Sequence, residues 1–397
     1  MQDILFPQPS PTATRAEALA QLDIFAARTH RYARERNFVV AGHGNVSQLS
    51  PAIQHRLISQ NEVIDRALQA HPFPAVEKFV QEVLWRSYWK GWLEMRPGVW
   101  TDYLQQISAC SEDELAKAAT VTTGRSGCAV MDDFSRELLD TGYLHNHARM
   151  WWASFWIHQQ GLPWALGAQH FMKHLIDADA ASNTLSWRWV AGIQTMGKSY
   201  LVRRDNIERY HHDPAVEGFA MLENIAPRLL TDTASRASIA LPTLTEECPS
   251  SLQRTALLLH EEDLSVETTA LASLTPQALG MFHFSDQNQS QARAEWRDRA
   301  FADARKRAEK HYLHSCAMMH SPQEIIEWLK RENITRLVMM QPFVGPLRDT
   351  LSPLSTLLKS NGIELVTVRR REDTELFPMA KSGFFPFWEK ASRRFQA

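Results

Sequence analysis

Six of the chain's 13 tryptophans lie between Thr141 and Ala191, and polar runs accompany them. The run HNHAR contains Asn146 and Arg149, and the run DADAASN ends at Asn183. Tryptophans at helical spacing are most often core residues. Charges and amides interleaved with indoles also suit a flat, polar, aromatic ligand that is stacked on its faces and hydrogen-bonded at its edges. The stretch therefore predicts a pocket for a flavin or a nucleobase.

Two histidines in the same stretch have the spacing of metal ligands. His170 and His174 are four residues apart, which places both imidazoles on one helix face, and Asp177 and Asp179 follow. The glutamate of an HExxH site is missing. Histidines at the edge of a core are the simpler interpretation, so we predict no metal and keep a metallohydrolase as a rival class.

A glycine-containing turn precedes the second helical segment. Gly42 and Gly44 begin a pattern close to GxGxxG, but Ser47 stands where the last glycine belongs and no βαβ unit surrounds it. A dinucleotide site of the Rossmann type is therefore disfavoured. Ser47 and Ser50 could instead offer hydroxyl groups to a phosphate at the start of a helix, as could any serine-rich helix start.

Length and composition bound the remaining possibilities. The 397 residues are 44% hydrophobic, which predicts two or more domains, and the net charge of −2 means that a polyanionic partner must meet a local basic patch. The four cysteines have no CxxC spacing, which argues against zinc ribbons, iron–sulfur clusters and a disulfide framework. The start, MQDILFPQPSPTATRAEALA, has no apolar run, and no stretch is long enough to span a membrane. We expect a cytoplasmic monomer.

The periodicity of apolar residues changes once along the chain. Helical spacing prevails through residue 232, with predicted helices at 14–37, 53–68 and 75–94, and a Ser-, Thr- and Pro-rich linker follows at 233–253. Short apolar runs then alternate with helical segments over residues 254–397, at 256–260, 279–284, 316–319, 334–340 and 363–368. The predicted fold is an α-helical domain followed by an α/β domain with a doubly wound, mainly five-stranded parallel sheet.

Four motifs resemble one known family. TGYLHNHARM and LIDADAASNTLSWRW resemble the patterns TGWxHNRxRM and LIDxDxAxNxxxWQW of the FAD-binding helical domain of DNA photolyases and cryptochromes. VSQLSP and EVLWRSYW resemble that family's TSxLSPYL and ExxWREF, and the four occur in the family's order across residues 14–230. In the family an α/β domain comes first, whereas here ALLLHEEDLS and LFPMAKSGFFPFWEKA resemble its opening strand and closing segment. The resemblance therefore implies a circularly permuted chain.

The resemblance also implies roles for individual residues. The FAD-binding positions are Ser47, Leu49, Ser50, Arg86, Arg149, Asp177, Asp179 and Asn183. The positions that line the substrate cavity are Glu82, Trp85, Asn146, Met150 and Trp189, with the two indoles stacking on a flipped pyrimidine dimer. Trp187 and Trp164 match the first two members of the chain that carries electrons to the photoexcited flavin.

The sequence departs from the family pattern at several positions. Tyr143, Ser87 and Arg188 replace a tryptophan, a glutamate and a glutamine of the motifs, and His147 replaces an arginine that lies near DNA phosphates. The third tryptophan of the electron chain falls at Gln106, so light-driven reduction would end on Tyr103 or another aromatic residue, or be inefficient. Arg203 and Arg204 could form a basic edge, although a solvated charge pair is the simpler interpretation.

The resemblance implies an FAD-dependent enzyme, a deoxyribodipyrimidine photolyase-like lyase. It would repair cyclobutane pyrimidine dimers in UV-damaged DNA by electron transfer from reduced flavin, after flipping the dimer out of the strand. A cryptochrome-like blue-light photoreceptor without repair activity is the alternative. Whether the C-terminal domain holds an antenna chromophore is left open.

Overall fold

The computed structural model describes residues 12–249, 254–284 and 289–395. Residues 1–11 of the predicted N-terminal segment and residues 250–253 of the predicted linker lie outside this range. The first part is helical and irregular, without a named strand among residues 12–230. Its helices are α1 (Arg15–Ala26), α2 (Tyr32–Glu35), α3 (Ser50–Gln54), α4 (Gln60–Ala70), α5 (Phe73–Glu94), α6 (Gly98–Ser108), α7 (Glu112–Thr122), α8 (Ala129–Thr141), α9 (Asn146–Ser154), α10 (Trp164–His174), α11 (Ala180–Val190) and α12 (Arg204–Tyr210).

Helix α5 runs through the middle of the molecule. Every residue from Ser87 to Glu94 is buried, so its second half is surrounded by protein on all sides. It packs against α4 and α11 on the helical side and against the C-terminal segment on the other. A Cβ atom on Gly91 would lie 2.7 Å from the Cα atom of Phe377, so this close approach requires glycine.

Two predicted helices are interrupted in the structure. The helix predicted at 14–37 ends at Ala26 and continues only as short turns. The helix predicted at 53–68 is two helices, because Arg56 adopts a positive φ of 51° and Ser59 starts α4 with a capping box that includes Glu62. The side chain of Arg56 explains the break, since it reaches Asp373 in the C-terminal part.

The second part contains a five-stranded sheet whose strand pairs are all parallel, in the order β3-β2-β1-β4-β5. Its strands are β1 (Thr255–His260), β2 (Ala278–Phe282), β3 (Cys316–Met319), β4 (Arg336–Met340) and β5 (Glu364–Val368). Each coincides with one predicted apolar run. Strands β1 and β2 are buried at every position, as expected when helices cover both faces of a parallel sheet.

The helices of this part are α13 (Gln291–Tyr312), α14 (Pro322–Arg331), α15 (Pro346–Leu351), α16 (Leu354–Ser360), α17 (Arg371–Leu376) and α18 (Phe384–Ala391). The predicted fold class, with the helical domain first and the doubly wound α/β domain second, is confirmed. Residues 223–249 form neither helix nor named strand. Among the described residues, no helix combines the length and the apolarity that crossing a bilayer requires.

A buried ion network joins the two parts at the carboxyl end of β1. Asp263 accepts two hydrogen bonds of 2.7 Å from Arg370, and its Oδ2 atom lies 3.4 Å from Arg56. Arg56 in turn donates a 2.5 Å hydrogen bond to Asp373. Burial alone would raise the pKa of the Asp263 carboxyl, but Arg370 and Arg56 outweigh that effect and hold the pKa below its usual value. The carboxylate is therefore charged and ties the α/β domain to the helical one.

Candidate functional site

A cavity of about 510 Å³ opens between α5, α9 and α11, a size typical of a cofactor or substrate pocket. It brings together residues that the sequence places in separate segments. Of the predicted site residues, those that line it are Ser47, Ser50, Glu82, Trp85, Arg86, Asn146, Arg149, Met150, Asp177, Asp179, Asn183, Trp187 and Trp189. Leu49 and Trp164 do not: Leu49 is fully buried in the core, so its side chain does not reach a ligand in this cavity.

Arg149 and Asp177 form a pair on the cavity wall. The guanidinium nitrogen Nη2 of Arg149 lies 3.1 Å from the Asp177 carboxylate, and Arg149 Nε donates to the carbonyl of Leu144. Burial would raise the pKa of Asp177, but Arg149, with Ser50 and Arg86, holds it below its usual value. The cavity therefore keeps a fixed negative charge beside a fixed positive one.

Both carboxylate oxygens of Asp179 are engaged within the protein. Its Oδ1 atom accepts from the backbone N–H groups of Ala181 and Ser182 and so caps α11, while Oδ2 accepts a 2.7 Å hydrogen bond from Arg86. Lys90, which is buried, approaches to 3.9 Å. Because both oxygens have protein partners, Asp179 fixes Arg86 and the start of α11 at the cavity.

Glu82 is held by two cations that the sequence reasoning missed. Arg36 lies 3.2 Å and Lys78 3.0 Å from its carboxylate, and all three side chains are partly exposed and line the cavity. The spacing of Lys78 four residues before Glu82 on α5 was a usable signal. Nothing local in the sequence links Arg36 to Glu82, since the contact joins α5 to the segment after α2.

The two indoles predicted to stack on a substrate each rest on another aromatic ring. Trp85 is stacked on Phe384 with a centroid distance of 3.7 Å and an interplanar angle of 7°. Trp189 is stacked on Tyr200 at 5.7 Å and 29°. Each indole therefore has one face that is already covered within the protein.

Deeper in the cavity, Trp187 packs against α10. A Cβ atom on Gly167 would lie 2.2 Å from the Trp187 ring, so only glycine leaves room for it. The indole N–H of Trp187 is buried and has no hydrogen-bond partner among the described residues. Asn183 uses its amide N–H to bond the carbonyl of Ala168, which leaves its oxygen as the free acceptor. A heteroaromatic ligand with an acceptor at its edge fits this set.

The departures from the family motifs have structural explanations. Arg188 is fully buried, pairs with Asp232 at 2.7 Å and lies over the ring of Trp164 at 5.7 Å. Trp164 is followed by Tyr103, at a centroid distance of 5.7 Å. Arg188 thus replaces an uncharged motif residue with a buried ion pair next to Trp164.

Tyr143 lines the cavity beside a buried histidine cluster. Its ring lies 5.1 Å from that of His43, which pairs with Glu137 at 2.5 Å. His145 also lines the cavity, and its burial lowers the pKa to about 3, so this imidazole is neutral. Ser87, at another departure from the motifs, donates a hydrogen bond to Gln60.

The alternative sites receive little structural support. Within the residues described, no group of three or more His, Cys, Asp or Glu side chains is placed to hold a metal; His170 is stacked beside Trp152, and His174 lies next to His170. Arg203 pairs with Asp205, and Arg204 pairs with Glu208 and Glu223. The predicted basic edge is therefore neutralised by its own neighbours.

Comparison with known proteins gives a consistent result for the helical part. Residues 79–216 match the family model described as the FAD binding domain of DNA photolyase. The chain is 32% identical over 191 residues to a deoxyribodipyrimidine photo-lyase of Streptomyces griseus, covering 45% of this chain and 42% of that protein. It is 33% identical over 214 residues to the corresponding Thermus thermophilus protein, covering 52% and 49%.

Among solved structures, a class III photolyase from Agrobacterium tumefaciens is similar, with 27% identity, a TM-score of 0.42 and coverage of 50% of this chain and 44% of that one. The chain thus spans less than half the length of the relatives that it matches. The strongest motifs, HNHAR and DADAASN, lie within residues 79–216.

Proposed function

We propose that the chain, whose residues 79–216 match the FAD binding domain of DNA photolyase, binds FAD in the α5/α9/α11 cavity and repairs cyclobutane pyrimidine dimers under blue or near-UV light. The observation that carries the proposal is the joining of two residue sets in one cavity. The set that would hold FAD is the Arg149–Asp177 pair with Asn183 and Trp187, and the set that would contact the lesion includes the Trp85 indole.

The cavity suits FAD in charge and in polarity. Four cations and three carboxylates line it, which gives the cavity one net positive charge and so favours an anionic cofactor; they are Arg36, Lys78, Arg86, Arg149, Glu82, Asp177 and Asp179. Ser47 and Ser50 add hydroxyl groups at the start of α3. The buried N–H of Trp187 would donate to an acceptor of the flavin ring.

When bound and reduced, FAD would supply the photoexcited electron that opens the cyclobutane ring. The protein's task is to hold the dimer outside the DNA strand, which costs roughly a few kcal/mol and less for a damaged base. Stacking on Trp85 and Trp189 offsets that cost by about 1–3 kcal/mol per base. Glu82 would accept hydrogen bonds from the pyrimidine edge, while Arg36 and Lys78 hold its carboxylate in place.

The direct test is repair by the purified protein. An absorbance spectrum establishes whether flavin is bound, and illumination of the reduced protein with dimer-containing single-stranded DNA should restore thymine, with a dark sample as the control. Trp85→Ala should weaken lesion binding and keep FAD, whereas Asp177→Ala should lose FAD itself. No thymine restoration in light would refute the repair function.

A blue-light photoreceptor without repair activity is the second candidate. Two observations favour it: Gln106 stands where the family has the third tryptophan, and the basic edge at Arg203 and Arg204 is neutralised by neighbouring carboxylates. This candidate predicts light-driven flavin reduction with no preference for dimer-containing over undamaged DNA.

A further inference from the structure

We propose that Phe384, on the last helix of the α/β domain, is a positioning residue for Trp85 and so sets the affinity for an extruded pyrimidine. The inference rests on the proposed function, since it names the part of the α/β domain that shapes the lesion site. Trp85 lines the cavity from α5, and Phe384 belongs to α18, which is distant in sequence but packs directly on α5.

The two rings are nearly parallel and stacked in close contact. Their centroids are 3.7 Å apart at an interplanar angle of 7°, and Phe384 is only 4% exposed. Two further rings lie near Phe384: Trp388 is nearly parallel to it at a centroid distance of 6.5 Å and 14°, and Phe73 lies 6.3 Å from Trp388 at 21°. Trp85 thus rests on a ring that is itself packed among aromatic side chains of α18 and α5.

The remaining neighbours of Trp85 restrain it from the side. Tyr88 meets its ring edge-on at 5.5 Å and 84°, and Trp89 lies tilted at 5.1 Å and 37°. With one face covered by Phe384, the indole presents its other face to the cavity. A flat base stacks on that face without first ordering the indole, and a prepositioned binding group loses less conformational entropy when the ligand arrives.

This arrangement predicts an energetic coupling between the two rings. Without the Phe384 ring, Trp85 gains rotational freedom and a second accessible face, and part of the binding free energy is spent on fixing it. Aromatic pairs contribute enough that the loss should weaken lesion binding about threefold to tenfold. Flavin binding should stay unchanged, because Phe384 does not line the cavity.

The experiment compares two leucine variants on the same helix. Phe384→Leu removes the ring that stacks on Trp85, whereas Phe387→Leu removes a buried ring of the same helix that contacts Phe384 and Tyr88 but is not stacked on Trp85. The measurements are flavin content and the Kd for an oligonucleotide with one thymine dimer, against the same oligonucleotide undamaged. Phe384→Leu should raise the Kd for the dimer about threefold to tenfold, and Phe387→Leu should leave it within about twofold. If Phe384→Leu gives no folded protein, Phe384→Met takes its place with the same expectation.

A double-mutant cycle separates positioning from a general loss of structure. In a Trp85→Ala background, Phe384→Leu should cause no further loss of lesion affinity, because the ring that it positions is gone. Equal dimer affinity of wild type and Phe384→Leu, or additive losses in the cycle, would overturn the inference while leaving the proposed function intact. A wild-type protein with no preference for the dimer would overturn both.

Discussion

Replacing Asp263 by asparagine should destabilise the protein strongly through the domain interface. The Asp263 carboxylate is 2% exposed and accepts two 2.7 Å hydrogen bonds from Arg370, with Arg56 close by. Asparagine keeps the size but removes the charge, so the buried Arg56 is left with Asp373 and the buried Arg370 with Glu372 at 4.0 Å. Removing one partner of a buried ion pair costs about 3–5 kcal/mol, because the remaining charge stays buried and uncompensated.

That cost corresponds to a fall in the unfolding temperature of roughly 6–20 °C, at about 2–4 °C per kcal/mol for a unit of 150–250 residues. The assay is calorimetric unfolding at pH 7 of wild type, Asp263→Asn and the control Asp205→Asn, whose ion pair with Arg203 is exposed and should contribute nothing measurable. The folded-state pKa of Asp263 is lowered, so its stabilisation is present above the unfolded-state pKa and is lost as the pH falls through the folded-state value. The difference between wild type and Asp263→Asn should therefore shrink in acid. A shift no larger than that of Asp205→Asn at pH 7 would refute the reasoning.

Three further predictions concern single positions. Burial raises the pKa of Glu262 from 4.5 to about 7, so the folded state is favoured while this carboxyl is protonated, and that advantage is lost as the pH rises through this range. Glu262→Gln should therefore be more stable than wild type at pH 8 but not at pH 4. Equal dependence of the unfolding free energy on pH in the two proteins would contradict this. Gly167→Ala should lower the free energy of unfolding in urea by about 1–3 kcal/mol and weaken flavin binding, because the new methyl group would displace the Trp187 indole. An unchanged urea midpoint would show that the Trp187 indole has room to move. Trp164→Phe should slow light-driven flavin reduction, followed by absorbance, more than Tyr103→Phe does, since Trp164 precedes Tyr103 in the aromatic chain; the reverse order would exclude that route.

The parts of the fold that the sequence predicts well are those with a local cause. The five strands coincide with short apolar runs because a parallel sheet covered on both faces buries nearly every strand residue. The break between α3 and α4 has a local signal that was missed, the capping box of Ser59 and Glu62, and a second cause that is not local. Arg56 takes a positive φ where its side chain reaches Asp373 and Asp263 in the other domain.

The same distinction holds for the candidate site. Asp177, Asp179 and Asn183 lie within one short motif, so the sequence places them together, and the structure puts all three on the cavity wall. Arg36 and Phe384 come from distant segments and touch the site only through tertiary packing, which local periodicity does not encode. The roles of the motif residues toward a bound ligand, and the circular permutation, stay predictions.

Helix α5 depends for its packing on the C-terminal part of the chain. Its cavity-facing residues need Phe384 behind Trp85, and its last turn holds Glu94, which bonds Arg348 of the α/β domain. A fragment that stops after the helical domain would expose this apolar and charged surface to water, so we expect it to aggregate when produced alone. A cut within the irregular segment 233–249 leaves the α5 contacts intact. The two halves should therefore reassemble when produced together, which makes the protein a candidate for split reconstitution at that segment.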